Sequence, residues 1–174
     1  MNILAFGAST SSTSINQQFA HWAAHQLDGI VNMIDLNDFE MPIYSIDRET
    51  NHGIPEEAED FLEIIEQADL IVISMAEHNG NFTAAFKNIF DWASRANVNL
   101  FQNKPLFLLS TSPGGFAGGN SMQAALTRFP KHGATILAHF SLPSFNANFE
   151  QGITNTELKA SFEEQLDLVK NHYK

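Results

Sequence analysis

The sequence predicts an α/β fold: a doubly wound sheet of five parallel strands with helices on both faces. Three observations carry that expectation. Strand-like apolar runs and helix-like amphipathic stretches alternate five times, with no repeat, linker or low-complexity tract between them. The run Leu70-Ile71-Val72-Ile73-Ser74-Met75 suits a central parallel strand covered on both faces. Three unusual loops, dense in small and polar residues, follow the first, third and fourth strands. In such sheets ligands sit at the carboxyl ends of the strands.

In order along the chain, residues 2–7 are an apolar strand. A helix over about 14–28 places Ile15, Phe19, Trp22, Ala23 and Leu27 at helical spacing. Asp28-Gly29 stops it, and Ile30 to Leu36 reads as the second strand. Residues 37–53 read as an ordered surface loop anchored by Phe39, Met41, Ile43 and Tyr44. Pro55 opens the next helix where a proline is tolerated. Glu56, Glu57, Glu59 and Asp60 crowd its first turn, a solvated start that suits the helix dipole. Phe61, Leu62, Ile64 and Ile65 face inward, and the helix ends near Ala68.

After the strand at 70–75 comes a loop over 76–82, then a helix over 83–95 with Phe86, Ile89, Phe90 and Ala93 on one face. Pro105 to Ser110 is the fourth strand and Thr111 to Asn120 a Gly-rich loop. A helix over 121–130 closes at Pro130-Lys131-His132-Gly133. Ala134 to Phe140 is an edge strand, and a loop leads to a last helix over about 154–172. Five strands fit the flavodoxin-like order 2-1-3-4-5 in one domain spanning 1–174. That order gathers the loops at 7–16, 76–82 and 111–120 on one edge.

The net charge of −11 argues against nucleic acid and against an anionic membrane surface as partners. The nine Lys and Arg are scattered, without a basic stripe. There is no cysteine, hence no disulfide, thiolate nucleophile or thiolate metal site. Met1-Asn2-Ile3 enters a strand at once and no segment is as long as a membrane span, so a cytoplasmic location is expected. His21 and His25 lie four apart like metal ligands, but no third ligand accompanies them and no metal is expected. Ser112 lacks the Gly-x-Ser-x-Gly elbow of a hydrolase, and Asp91 reads as structural rather than as a partner to a general acid at Glu77.

The loop Gly7-Ala8-Ser9-Thr10-Ser11-Ser12-Thr13-Ser14-Ile15-Asn16 joins a strand to a helix start. It aims backbone N–H groups and hydroxyls at one point, which is an anion site or simply a polar turn with a Ser14 cap. In Ala76-Glu77-His78-Asn79-Gly80-Asn81-Phe82, Asn79-Gly80 is a turn signal. Its main-chain groups suit the edge of a planar heterocycle, or form a turn that binds nothing. The third loop has four glycines within six residues, Gly114 to Gly119, which lets something flat approach the backbone.

These motifs resemble those of the NADPH-dependent FMN reductase family over nearly the whole chain. The first loop ends Ser14-Ile15-Asn16, matching that family's Ser-x-Asn. The second has Ala76-Glu77-His78-Asn79-Gly80 where the family has Pro-Glu-Tyr-Asn, followed by Phe86-Lys87-Asn88 and Asp91-Trp92. The third is Ser112-Pro113-Gly114-Gly115, of the family's Ser-x-Gly-Gly type. The resemblance implies FMN, with its phosphate on Ser9, Ser11, Ser14, Asn16 and the amides around Ile15. It implies a ring held by main-chain groups of Ala76, Glu77, His78, Asn79 and Gly80 on one side and of Ser112, Pro113, Gly114 and Gly115 on the other.

The activity so implied is hydride transfer from NADPH or NADH to FMN, then electron transfer to a flavin, quinone or similar acceptor. Flavin carries that chemistry, so no catalytic side chain is implied. The alternative is a flavodoxin-like electron carrier that binds FMN without being an enzyme. The family's assembly implies a homodimer or homotetramer. Three departures stand out: Ala76 for Pro, His78 for Tyr, and no Arg in the first loop. The last leaves the phosphate to neutral dipoles and the choice between NADPH and NADH open.

Overall fold

Five parallel strands are hydrogen-bonded in the order β2-β1-β3-β4-β5 in a computed structural model that describes residues 1–174. They are β1 (Asn2–Gly7), β2 (Ile30–Met33), β3 (Leu70–Met75), β4 (Pro105–Thr111) and β5 (Thr135–Leu142). The helices are α1 (Ile15–Ala24), α2 (Ile46–His52), α3 (Glu56–Gln67), α4 (Ala84–Ala96), α5 (Gly119–Arg128), α6 (Phe145–Asn148) and α7 (Thr156–His172). Two 3-10 turns, Leu36–Phe39 and Phe129–His132, complete the list of regular elements.

Strand pleating divides the core into two layers, because successive side chains point to opposite faces. Leu4, Phe6, Ile71, Ile73, Leu106 and Leu108 pack under α3, α4 and α5. Ile3, Ala5, Leu70, Val72, Phe107 and Leu109 pack under α1 and α7. Both layers are rich in phenylalanine. Phe129 lies against the rings of Phe82, Phe86, Phe90 and Phe101, and Phe162 against those of Phe19, Phe107 and Phe140.

The differences from the expected elements have local causes. α1 stops at Ala24, although the turn that follows still buries Leu27. β2 is four residues long, and Leu36 starts a 3-10 turn instead of ending the strand. Residues 37–53 are not a plain loop, because α2 lies within them, capped by Ser45 and stopped by Gly53 at φ 79°. Of the four anchors expected there, Phe39 and Met41 are buried and Tyr44 is partly covered, but Ile43 is 76% exposed.

The anchoring is largely polar instead. Asn88 donates to the carbonyls of Met41 and Pro42 and accepts from the Tyr44 N–H, and the Trp92 indole donates to Pro42. Asn88 and Trp92 thus strap this segment to α4. A further helix unforeseen in the sequence, α6, sits beside the Gly-rich loop.

Candidate functional site

The sheet order brings the ends of β1, β3 and β4 side by side, and the loops that follow them line one cleft of about 250 Å³. Of the expected residues, Ser9, Ser11, Ser14, Ile15, Asn16, Ala76, Glu77, His78, Ser112 and Pro113 line it. Asn79 and Gly80 form the tip of the adjoining turn, and Gly114 and Gly115 are exposed beyond the cleft. Thr13 and Thr111 also line it, and no motif singles them out.

Gly7 lets α1 start this close to the sheet. A Cβ there would run into the backbone of Asn16 and Gln17. The Gln17 side chain closes the junction, accepting from the Gly7 N–H at 2.6 Å and donating to the Ile34 carbonyl at 2.9 Å. Ser14 is the helix cap, its Oγ accepting from the Gln17 N–H. The N–H groups of Ile15 and Asn16 have no protein acceptor and open the helix toward the cleft. Within the loop, Ser9 and Ser11 hydroxyls accept from the N–H groups of Ser11 and Thr13.

The Asn16 side chain is otherwise engaged. Its Oδ1 accepts from Ser74 Oγ at 2.7 Å and from the Thr111 N–H, and its Nδ2 donates to the Thr111 carbonyl. It is a buried staple joining the first loop to β3 and β4, and its backbone N–H is what remains for a ligand. Thr83 adds a second tie: it caps α4 and donates to the Ala8 carbonyl at 2.9 Å.

In the second loop, His78 and Asn81 exchange backbone hydrogen bonds at 3.0 and 3.1 Å. Asn79 and Gly80 between them have φ of 52° and 76°, the geometry that favours Asn-Gly in a two-residue turn. The His78 side chain is exposed and makes no hydrogen bond, while Ala76 is buried. Glu77 is the only carboxylate in the cleft lining, which has no Lys or Arg. Its carboxylate accepts from the N–H groups of Asn120 at 2.8 Å and Ser121 at 3.1 Å, capping α5 from another loop. Ser121 Oγ returns a bond to the Ala76 carbonyl. Glu77 therefore aligns two loops and is not placed as an acid catalyst.

The third loop is fixed at its ends and open in its middle. Ser110 Oγ donates to the Ala117 carbonyl, and Gly118 adopts φ 74° where α5 begins. The start of α6 braces it, with the N–H groups of Ser144 and Phe145 donating to the carbonyls of Gly114 and Ser112. Gly114 and Gly115 have nothing within 4 Å of a Cβ position, and their N–H groups have no acceptor. Phe116 stands beside them 65% exposed. Asp91 is engaged away from the cleft, with Lys87 at 2.7 Å.

Three loops thus line one concave space, into which the free N–H groups of Ile15 and Asn16 open, with those of Gly114 and Gly115 beside it and no Lys or Arg in the lining. The arrangement suits an anion bound by dipoles, next to a flat group bound by backbone.

Comparison with known proteins places the chain. It is 37% identical over 91 residues to an NADPH:quinone oxidoreductase of Arabidopsis thaliana, covering 52% of this chain and 44% of that one. It is 36% identical over 84 residues to a quinone reductase of Escherichia coli, covering 48% and 44%. The matches therefore span less than half the length of these curated relatives. The fold matches a flavoenzyme NAD(P)H:acceptor oxidoreductase from Paracoccus denitrificans over 98% of both chains, with a TM-score of 0.74 at 19% identity. Residues 1–147 match the family described as NADPH-dependent FMN reductase, so the three loops, the sheet order and the sequence agree, and the chain belongs to that family.

Proposed function

We propose that the protein is an FMN-dependent NAD(P)H oxidoreductase. It takes a hydride from a nicotinamide onto bound flavin and passes electrons to a flavin, quinone or similar small acceptor. The observation that supports this most is the convergence of the loops after β1, β3 and β4 on one cleft, with the free N–H groups of Ile15 and Asn16 in its lining and those of Gly114 and Gly115 beside it. FMN suits the residues present. Its phosphate needs N–H and O–H donors, which Ile15, Asn16, Ser9, Ser11 and Ser14 supply. Its ring needs close approach to backbone, which Ala76 to Gly80 and Ser112 to Gly115 supply.

FMN, when bound, supplies the hydride acceptance and the electron release. The chain's own residues bind and orient. Glu77 keeps the two ring-flanking loops in register through α5, and Asn16 keeps the phosphate loop against β3 and β4. No helix is long and apolar enough to cross a membrane. We take the working protein as a cytoplasmic, single-domain homodimer or homotetramer that acts on small molecules.

The test is anaerobic stopped-flow of the FMN-loaded protein. Bleaching of the flavin by NADPH or NADH, followed by re-oxidation with a quinone, is the expected result. Bleaching by dithionite but by neither nucleotide would mark an electron carrier and sink the enzyme reading.

A further inference from the structure

Nine Lys and Arg stand against 20 Asp and Glu in this chain, and in the sequence they are scattered. The fold gathers three of them. Lys87 on α4, Arg128 at the end of α5 and Lys131 just after it line a groove of about 760 Å³ between those helices. Lys87 is matched by Asp91 on the next helical turn. Arg128 and Lys131 are exposed and make neither an ion pair nor a hydrogen bond. The remaining polar lining is chiefly Ser94, Asn120, Gln123 and Thr127, with the His132 ring 2.9 Å from the Val98 carbonyl through Nδ1. In a molecule of net charge −11, the groove carries two unmatched positive charges at one end.

The other end of the groove is formed by Gly80, Asn81 and Asn120. Gly80 belongs to the turn over 78–81 beside the candidate flavin cleft, and Asn120 is held by Glu77, which lines that cleft. The groove therefore starts at the rim of the cleft and runs along α5. Asn120 and Arg128 are about 12 Å apart along the helix axis at 1.5 Å per residue. A nicotinamide placed for hydride transfer leaves its adenosine end to be bound some distance off. That end carries phosphates and ribose hydroxyls, which suit a groove lined with amides and hydroxyls and ending in cations. Arg in particular pairs with phosphate through two parallel hydrogen bonds.

We propose that the α4–α5 groove binds the adenosine end of the cosubstrate, with Arg128 and Lys131 gripping the 2′-phosphate that distinguishes NADPH from NADH. This rests on the proposed oxidoreductase function. It replaces the cation that the first loop lacks with two from a different element of the fold.

The test has a binding arm and a kinetic arm. Purified FMN-loaded protein is titrated calorimetrically with adenosine 2′,5′-bisphosphate and with 5′-AMP, which lacks the 2′-phosphate. The bisphosphate is expected to bind about ten- to a hundredfold tighter, as charge-assisted hydrogen bonds to one phosphate provide. The Arg128→Ala/Lys131→Ala double variant should erase that difference and lower the NADPH-to-NADH ratio of kcat/KM by a similar factor. Arg128→Lys should keep part of it, and Lys159→Ala, a charge loss on α7, should keep all of it.

Equal binding of the two nucleotides by the wild type, or a difference that survives in the double variant, overturns the proposal. So does a change in sedimentation mass caused by the double substitution, which would assign the groove to contact between copies. A wild type whose flavin neither nucleotide bleaches overturns the oxidoreductase reading instead, and the titration then still decides the groove.

Discussion

The carboxylate of Glu77 caps the N-terminus of a helix that begins 42 residues later, accepting the Asn120 N–H at 2.8 Å. The loop after β3 and the loop after β4 are thereby one mechanical unit. Two further ties join them: Asn120 Nδ2 donates to the same carboxylate, and Ser121 Oγ donates to the Ala76 carbonyl.

Removing that cap should loosen both walls of the cleft. Glu77→Ala is expected to cost about 1–2 kcal/mol, the value of a helix cap. Glu77→Gln keeps an acceptor oxygen and should cost about half as much. Urea unfolding measures both, and a parallel loss of FMN affinity in the Ala variant checks the effect on the cleft.

Asn16→Ala should act mainly on folding. It leaves the Ser74 hydroxyl and both main-chain groups of Thr111 buried without a partner. Unpaired buried groups cost about 1–3 kcal/mol each before relaxation, so a loss of about 2–4 kcal/mol is expected. Equilibrium denaturation reads it directly, and unchanged stability would contradict the staple described here.

Ser14→Ala separates two roles of one hydroxyl. As the cap of α1 it should cost about 1 kcal/mol of stability. As a donor to a bound phosphate it should also weaken FMN by about tenfold, the value of one hydrogen bond to a charged group. Riboflavin, which has no phosphate, should lose none of its affinity in this variant, and fluorescence titration of both flavins makes the comparison.

The strap over residues 37–53 should respond to acid. Hydrogen bonds from Arg95 first, and from the Tyr44 hydroxyl second, hold the Glu49 carboxyl below its ordinary value of 4.5. A carboxyl lowered in the folded state stabilises it above its ordinary value, and the contribution fades as pH falls from about 4.5 through the folded value. Limited proteolysis within 37–53 should accelerate over that window in the wild type. Glu49→Gln should lack that step, with faster cleavage already at neutral pH.

Much of the fold was legible because it rests on periodicity and on signals close in sequence. All five strands and the principal helices follow from apolar runs and spacing, and the strand order from the doubly wound fold class that their alternation implies. α2 escaped because none of its residues is buried, which leaves no apolar stripe to read. Its caps, Ser45 and Gly53, were visible but are weak signals alone. Ile43 misled because its neighbours are anchored through main-chain bonds to Asn88 and Trp92, not through its own side chain.

The cleft was legible as three loops, whereas the division of labour within them was not. Asn16 looked like a ligand group, yet its side-chain partners lie 58 and 95 residues away. The capping role of Glu77 and the bracing of Gly114 by Ser144 depend on contacts 43 and 30 residues apart in sequence. The unmatched pair Arg128 and Lys131 meets Lys87 only because α4 and α5 lie side by side.

The two-layered core gives the molecule a pair of natural optical probes. The chain has two tryptophans, and the sheet separates them. Trp92 lies beneath the strap with its indole edge-on to Tyr44, whereas Trp22 sits among Phe19, Phe149 and Phe162 on the opposite face. Emission from each therefore reports on one layer. Variants that keep a single indole turn ordinary fluorescence into a record of which half of the protein melts first, or of both halves melting as one.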